Sequence, residues 1–110
     1  MFLGVGLGAF AAHALRGRLS PEMLQVFETG VRYHFYHALG LFVVAWLSES
    51  LAGHWITWAG IAFVLGIVVF SGSLYLLALT GVRAWGAITP LGGLAFLVGW
   101  LLLAIGPFRA

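Results

Sequence analysis

The chain contains no cysteine, no lysine and no aspartate. Without cysteine it has no disulfide framework and no thiolate metal site. Charged residues make up only 7% of its 110 residues, against roughly 25% in a soluble domain. The five positive charges are arginines at 16, 18, 32, 83 and 109, too dispersed for a nucleic-acid surface. The three acids, Glu22, Glu28 and Glu49, all sit at or near connections between apolar runs. A chain of this size resembles the small multidrug exporters, but no carboxylate lies mid-span to exchange protons for cations. No acid is placed to orient a histidine either, so a dyad of His37 with Ser71 or Ser73 is not predicted and the chain does not read as an enzyme.

What fills the chain instead is apolar. Hydrophobic residues make up 63% of it and its mean hydropathy is +1.10. One soluble domain cannot hide that much apolar surface, so lipid is the solvent. The chain is one integral-membrane domain.

Four apolar runs follow one another, with spans at about 1–15, 33–51, 55–79 and 90–107. The first is rich in small residues and, at about 1.5 Å per residue, spans roughly 22 Å, short of a ~30 Å hydrocarbon core. Either it is thinned at one end or its start lies upstream. It lacks the basic leader of a signal peptide, since its arginines follow the apolar run. Gly4, Gly8 and Ala12 make a small-residue strip for close helix packing.

Ser20-Pro21-Glu22 reads as a helix start, with Ser20 at the N-cap and Pro21 at N1. The spacing predicts one unbroken helix from Pro21 to about Ser48. Its first turns, with Glu22, Gln25, Glu28 and Arg32 among apolar residues, read as an interfacial amphipathic lead-in. Trp46, Trp55 and Trp58 flank the next turn as an aromatic belt. In the third span Gly66 and Gly72 are packing positions, and Ser71 and Ser73 bracket Gly72. Thr89-Pro90 either starts the fourth span, with Thr89 as N-cap, or kinks a longer helix. Ala95 and Gly99 form another packing strip. Trp100 is placed near the far interface.

The stretch Glu28-Thr29-Gly30-Val31-Arg32-Tyr33-His34-Phe35-Tyr36-His37 is the one dense polar and aromatic cluster. On a helix Thr29, Tyr33 and His37 form a strip, and Glu28 and Arg32 form an i, i+4 salt bridge in the favourable order. Arg16, Arg18, Arg32 and Arg83 lie in the first and third connections and only Arg109 on the other side, so the positive-inside rule places those connections in the cytoplasm and both termini outside. Polar groups at membrane depth must pair. A shared cluster is therefore predicted at the cytoplasmic end: His13, Thr29, Arg32, Tyr33, His37, Ser71, Ser73, Tyr75 and Thr89. His13, His34 and His37 could converge on a metal or haem, but without acidic or cysteine ligands at that depth no metal or cofactor site is predicted.

Four motifs carry a family resemblance: Gly8-Ala9-Phe10-Ala11-Ala12-His13-Ala14-Leu15; Phe27 to Leu39, spanning the polar cluster; Phe70-Ser71-Gly72-Ser73-Leu74-Tyr75; and Gly86-Ala87-Ile88-Thr89-Pro90-Leu91-Gly92-Gly93 with Gly99-Trp100. In this order they resemble the small membrane family called domain of unknown function 423. That family includes bacterial inner-membrane proteins and the eukaryotic transmembrane protein 256. The resemblance covers nearly the whole chain, although the N-terminus looks shorter than is usual for the family. It implies four membrane helices and no established activity.

The reading is thus an all-α, four-helix transmembrane bundle of a bacterial inner membrane, with a long second helix that starts as an interfacial segment. Its expected role is non-catalytic: structural or accessory, or binding a lipid or small amphiphile. Its expected partners are membrane lipids and either further copies of itself or a larger membrane complex. The alternative is a small proton-linked transporter or channel using His13 and His37.

Overall fold

The computed structural model describes residues 1–109. These residues form four helices and, among the described residues, no β-strand. Helix α1 covers Phe2–Leu15, and its last turn, Ala11–Leu15, is π-helical. Helix α2 is Pro21–Ser50. Helix α3 is His54–Thr80, with a π-helical turn at Ile67–Ser71. A 3₁₀ turn at Arg83–Ala87 leads to α4, Thr89–Arg109.

Helix starts and stops follow local chemistry. Pro21 occupies the first turn of α2, and the Ser20 hydroxyl accepts from the Met23 backbone N–H at 3.2 Å, so an orphan donor is satisfied. At the end of α3 the chain turns through Gly81 at φ 71°, whose N–H closes on the Leu77 carbonyl at 2.8 Å. A left-handed residue at this position is a common helix terminator, and glycine adopts it without a Cβ clash. Helix α4 begins afresh after the 3₁₀ turn, so Pro90 sits in a first turn and kinks no longer helix.

Two helices, His54–Thr80 and Arg83–Phe108 with its 3₁₀ turn, are long and apolar enough to cross a membrane. Phe2–Leu15 is apolar but shorter. Helix α2 has 30 residues, but Glu22, Gln25, Glu28 and Arg32 make its first part polar.

The helices pack as a layer. The Cα envelope measures 49 × 26 × 14 Å. Helix α3 lies between α2 and α4, and α1 packs on α2. One core joins α1, α2 and the end of α3 through Ala11, Leu15, Phe27, Val31 and Ala78. The other joins α2, α3 and α4 around Phe63 and Phe96, both almost fully buried.

Glycines set the close approaches. A Cβ on Gly99 would lie 2.5 Å from the Phe63 ring and 3.3 Å from the Ala59 carbonyl oxygen. One on Gly66 would meet the Phe96 ring, and one on Gly92 would meet the backbone nitrogen of Phe70. Gly4 and Gly8 face Phe35 and Val31 of α2 at ordinary contact distance. Two predicted packing positions differ. Gly72 faces open space within 4 Å, and Ala12 is exposed while Ala11 is buried. The strip that α1 buries runs through Gly4, Gly8, Ala11 and Leu15, so position 12 turns outward. Ala95 is half-buried.

Many large apolar side chains face outward, including Trp46 (67% exposed), Phe42 (64%) and Leu97 (66%). An apolar surroundings suits such a surface and water does not. Trp58 is exposed as an interface residue would be, but Trp55 folds over Gly106.

The two glycines of α3 and α4 that differ most give a direct test. Gly92→Ala drives a methyl into backbone and is expected to destabilise by about 1–3 kcal/mol. Gly72→Ala enters open space on a helix and is expected to be neutral or to stabilise by up to about 1 kcal/mol. Thermal unfolding of both variants in detergent checks this; equal melting temperatures would remove the close-approach account of Gly92.

Candidate functional site

The polar residues of the chain divide among separate pairings, most of them on the faces of α3. The first is a clasp between α2 and α3. The Ser71 hydroxyl, fully buried, donates to the Gly30 carbonyl at 2.7 Å. Gly30 permits this approach because a Cβ there would sit 2.8 Å from the Tyr75 ring. The Tyr75 hydroxyl and His34 Nδ1 share a hydrogen bond of 3.0 Å just beyond it.

A second pairing links α3 to α4. The Ser73 hydroxyl donates to the Phe70 carbonyl at 2.9 Å. The Thr89 hydroxyl lies 2.5 Å from Ser73 Oγ, with the Trp85 carbonyl also within its reach at 3.4 Å, so the two hydroxyls share one hydrogen bond. Thr89 therefore does not cap α4. It lies within the helix and ties its start to α3.

The third pairing joins α2 directly to α4. His37 is 4% exposed. Its ring stacks on Phe96, with centroids 3.4 Å apart and planes 7° from parallel, and meets the edge of Phe63 at 5.4 Å. The Trp100 indole N–H donates to His37 Nε2 at 2.8 Å. His37 Nδ1 lies 2.8 Å from the Tyr33 carbonyl, which can only accept. One protonation state satisfies both contacts: neutral imidazole with its proton on Nδ1. Trp100, 42% exposed and midway along α4, thus turns its indole N–H toward His37.

Three further expectations are corrected. His13 is exposed on α1 and makes no side-chain hydrogen bond among the described residues. Two residues from both Ala11 and Leu15, it lies on the face opposite the one α1 buries. Its place is taken by His34. Arg32 and Glu28 do not form an ion pair among the described residues. The Arg32 guanidinium instead donates to Thr29 Oγ1 at 3.1 Å, and Thr29 in turn donates to the Gln25 carbonyl at 2.9 Å. Both Arg32 and Glu28 are exposed, so little is gained by pairing them. Tyr33 is exposed at 38% and lies beside the Phe70 ring, with centroids 4.9 Å apart.

His34 carries a signal that the Thr29, Tyr33, His37 strip conceals. The positions buried on α2 are Phe27, Gly30, Val31, His34, His37, Ala38 and Gly40. Starting the helical repeat from Phe27 selects His34; starting it from Thr29 does not. No feature of the sequence pairs Trp100 with His37.

Between α2 and α4 the layer opens into a cleft of about 860 Å³. Phe70 of α3 lies in it, with Tyr33, Tyr36 and His37 on one side and Pro90, Gly93, Leu94, Phe96, Leu97 and Trp100 on the other. Its lining is almost wholly aromatic and aliphatic, with few polar atoms, as in sites for apolar ligands. Among the described residues no three histidine or acidic side chains stand close enough to hold a metal ion.

Nitrogen NMR of histidine-labelled protein is expected to find His37 as the Nδ1–H tautomer. In Trp100→Phe the His37 Nε2 signal should move and the melting temperature should fall, by the equivalent of about 1–3 kcal/mol for an orphaned buried acceptor. An unchanged Nε2 signal would contradict the pairing.

Comparison with known proteins bears on the whole chain. The UPF0382 membrane protein YwdK of Bacillus subtilis is 55% identical over 108 residues, which are 97% of this chain and 88% of that protein. The UPF0382 membrane protein SH2409 of Staphylococcus haemolyticus is 50% identical over 107 residues, 97% of this chain and 87% of that one. The UPF0382 inner membrane protein YgdD of Escherichia coli K12 is 39% identical over 108 residues, 98% and 82% of the two chains. No solved structure matches. The model of a family described as protein of unknown function (DUF423) matches residues 7–93, and the chain belongs to that family.

Proposed function

We propose that this is a four-span, non-catalytic protein of the bacterial inner membrane that holds a lipid or small amphiphile in the cleft between α2 and α4. The cleft carries the proposal. It is about 860 Å³ in volume, its lining is apolar, and its few polar groups include the Tyr33 and Tyr36 side chains and the engaged His37. A chain-like apolar ligand matches that lining, whereas a small polar solute would lose its hydration without replacement.

The membrane setting is supported by the exposed apolar side chains on every helix, by the two long apolar helices and by the names of the relatives. In this arrangement α1 and the second half of α2 supply the other two spans, and the connections bearing Arg16, Arg18 and Arg83 face the cytoplasm. A layer 14 Å thick leaves both of its faces uncovered by protein. This supports self-association or docking on a larger membrane complex as the wider role.

A proton path through His13 and His37 has less support. His13 is exposed on α1, which packs on α2 away from α4, and both ring nitrogens of His37 are already engaged.

Native mass spectrometry of protein released gently from its own membranes tests the cleft. The wild type is expected to carry a bound lipid-sized mass. Gly93→Phe should lose most of it, because the first atom of the new side chain has room beside Phe70 (3.8 Å) and the ring then fills the cleft. A wild type without adducts, or equal adducts in both proteins, would overturn the proposal.

A further inference from the structure

The cleft has one polar end. On α2, Arg32 stands three residues after Thr29 and four before Tyr36, so the guanidinium and the Tyr36 ring share a helix face. Arg32 is exposed, and its one hydrogen bond to another side chain goes to Thr29 Oγ1 at 3.1 Å. That contact uses one of five guanidinium N–H donors and neutralises no charge. Tyr33 and Tyr36 stand edge to face with ring centroids 5.5 Å apart, both exposed, and neither hydroxyl has a hydrogen-bond partner among the described residues. Across the cleft α4 offers Pro90, Leu94, Phe96, Leu97 and Trp100, none of them charged. The first of these, Pro90, lies in the first turn of α4, seven residues after Arg83 at the start of the 3₁₀ turn, so the same end of the molecule also carries a second arginine.

A guanidinium one helical turn outside the lining, in no ion pair with Glu28 among the described residues, and two phenols without partners therefore stand toward one end of a long apolar trough. We infer that the occupant is an anionic phospholipid. Its phosphate accepts from the Arg32 guanidinium and from the Tyr33 and Tyr36 hydroxyls, and an acyl chain lies along Phe70, Phe96 and Leu97 toward Trp100. This rests on the amphiphile reading of the cleft and adds the head group. Guanidinium and phosphate match in charge and in fork geometry. An uncharged amphiphile would leave the Arg32 charge without a counter-ion, and a zwitterionic head group would bring a cation of its own beside it.

The test uses the purified full-length protein in two sets of vesicles with identical acyl chains, one of phosphatidylglycerol and one of phosphatidylcholine. Lipid retained after extraction is counted by native mass spectrometry. Wild type is expected to retain phosphatidylglycerol about tenfold over phosphatidylcholine, the scale of one charge-assisted contact. Arg32→Gln should keep an unchanged melting temperature and retain both lipids equally, and Arg32→Lys should restore part of the preference. Equal retention by wild type, or a preference that survives Arg32→Gln, would overturn the anionic head group and leave the cleft reading standing. Retention of neither lipid, or full retention in Gly93→Phe, would remove the cleft reading itself.

Discussion

The layer depends on α3 approaching both of its neighbours at backbone distance. On one side a serine hydroxyl reaches a main-chain carbonyl, Ser71 to Gly30, at 2.7 Å. On the other the backbone of Phe70 lies against Gly92. Adjacent residues of one helix thus serve opposite contacts. In a lipid solvent there is no hydrophobic drive between helices, so such contacts must come from close packing and from hydrogen bonds that have no water to compete with them. Glycine at positions 30 and 92 is what makes both approaches possible. Neither position depends on a special backbone angle; each depends on the missing Cβ.

His37 performs a related task at longer reach. It closes the gap between α2 and α4, which otherwise touch little, by accepting the indole proton of Trp100 while stacked on Phe96. A buried polar group that is fully paired fixes one arrangement, because any other arrangement would strand it. The arrangement it fixes is an open one. The two helices are held in register at Trp100, and their flanks stay apart far enough to form the cleft.

Much of this was legible in the residues. Ser20-Pro21 marked the start of the long helix, and hydropathy marked the apolar runs. The density of polar residues on α2 stands out in the sequence, and Ser71, Ser73 and Thr89 hydrogen-bond in the fold, in separate pairings rather than in one shared cluster. What could not be read was which group meets which. Periodicity says which residues share a face of one helix and nothing about how that helix is rotated against the next. Thr29 and His34 lie on different faces of the same helix, and only packing against α3 chooses His34. His13 stays outside for the same reason: α1 turns Ala11 and Leu15 inward. Spacing pairs Arg32 with Glu28, but its guanidinium turns to Thr29, a contact that needs no second long, exposed side chain to be ordered.

The π-turn at Ile67–Ser71 has a consequence for how the family can change length. Before it, the buried positions of α3 are Ile56, Ala59, Ala62, Phe63 and Gly66, spaced as in an ordinary helix; the next is Ser71, five residues on. The wide turn absorbs one residue beyond the α repeat. A deletion of one residue elsewhere in α3 would rotate everything after it by about 100° and turn Ser73 and Tyr75 from their partners. A deletion within this turn would straighten it into an ordinary helix and leave the faces on either side where they are. Relatives with a shorter third helix can therefore keep both polar pairings, provided the missing residue is taken from this turn and Ser71 is retained.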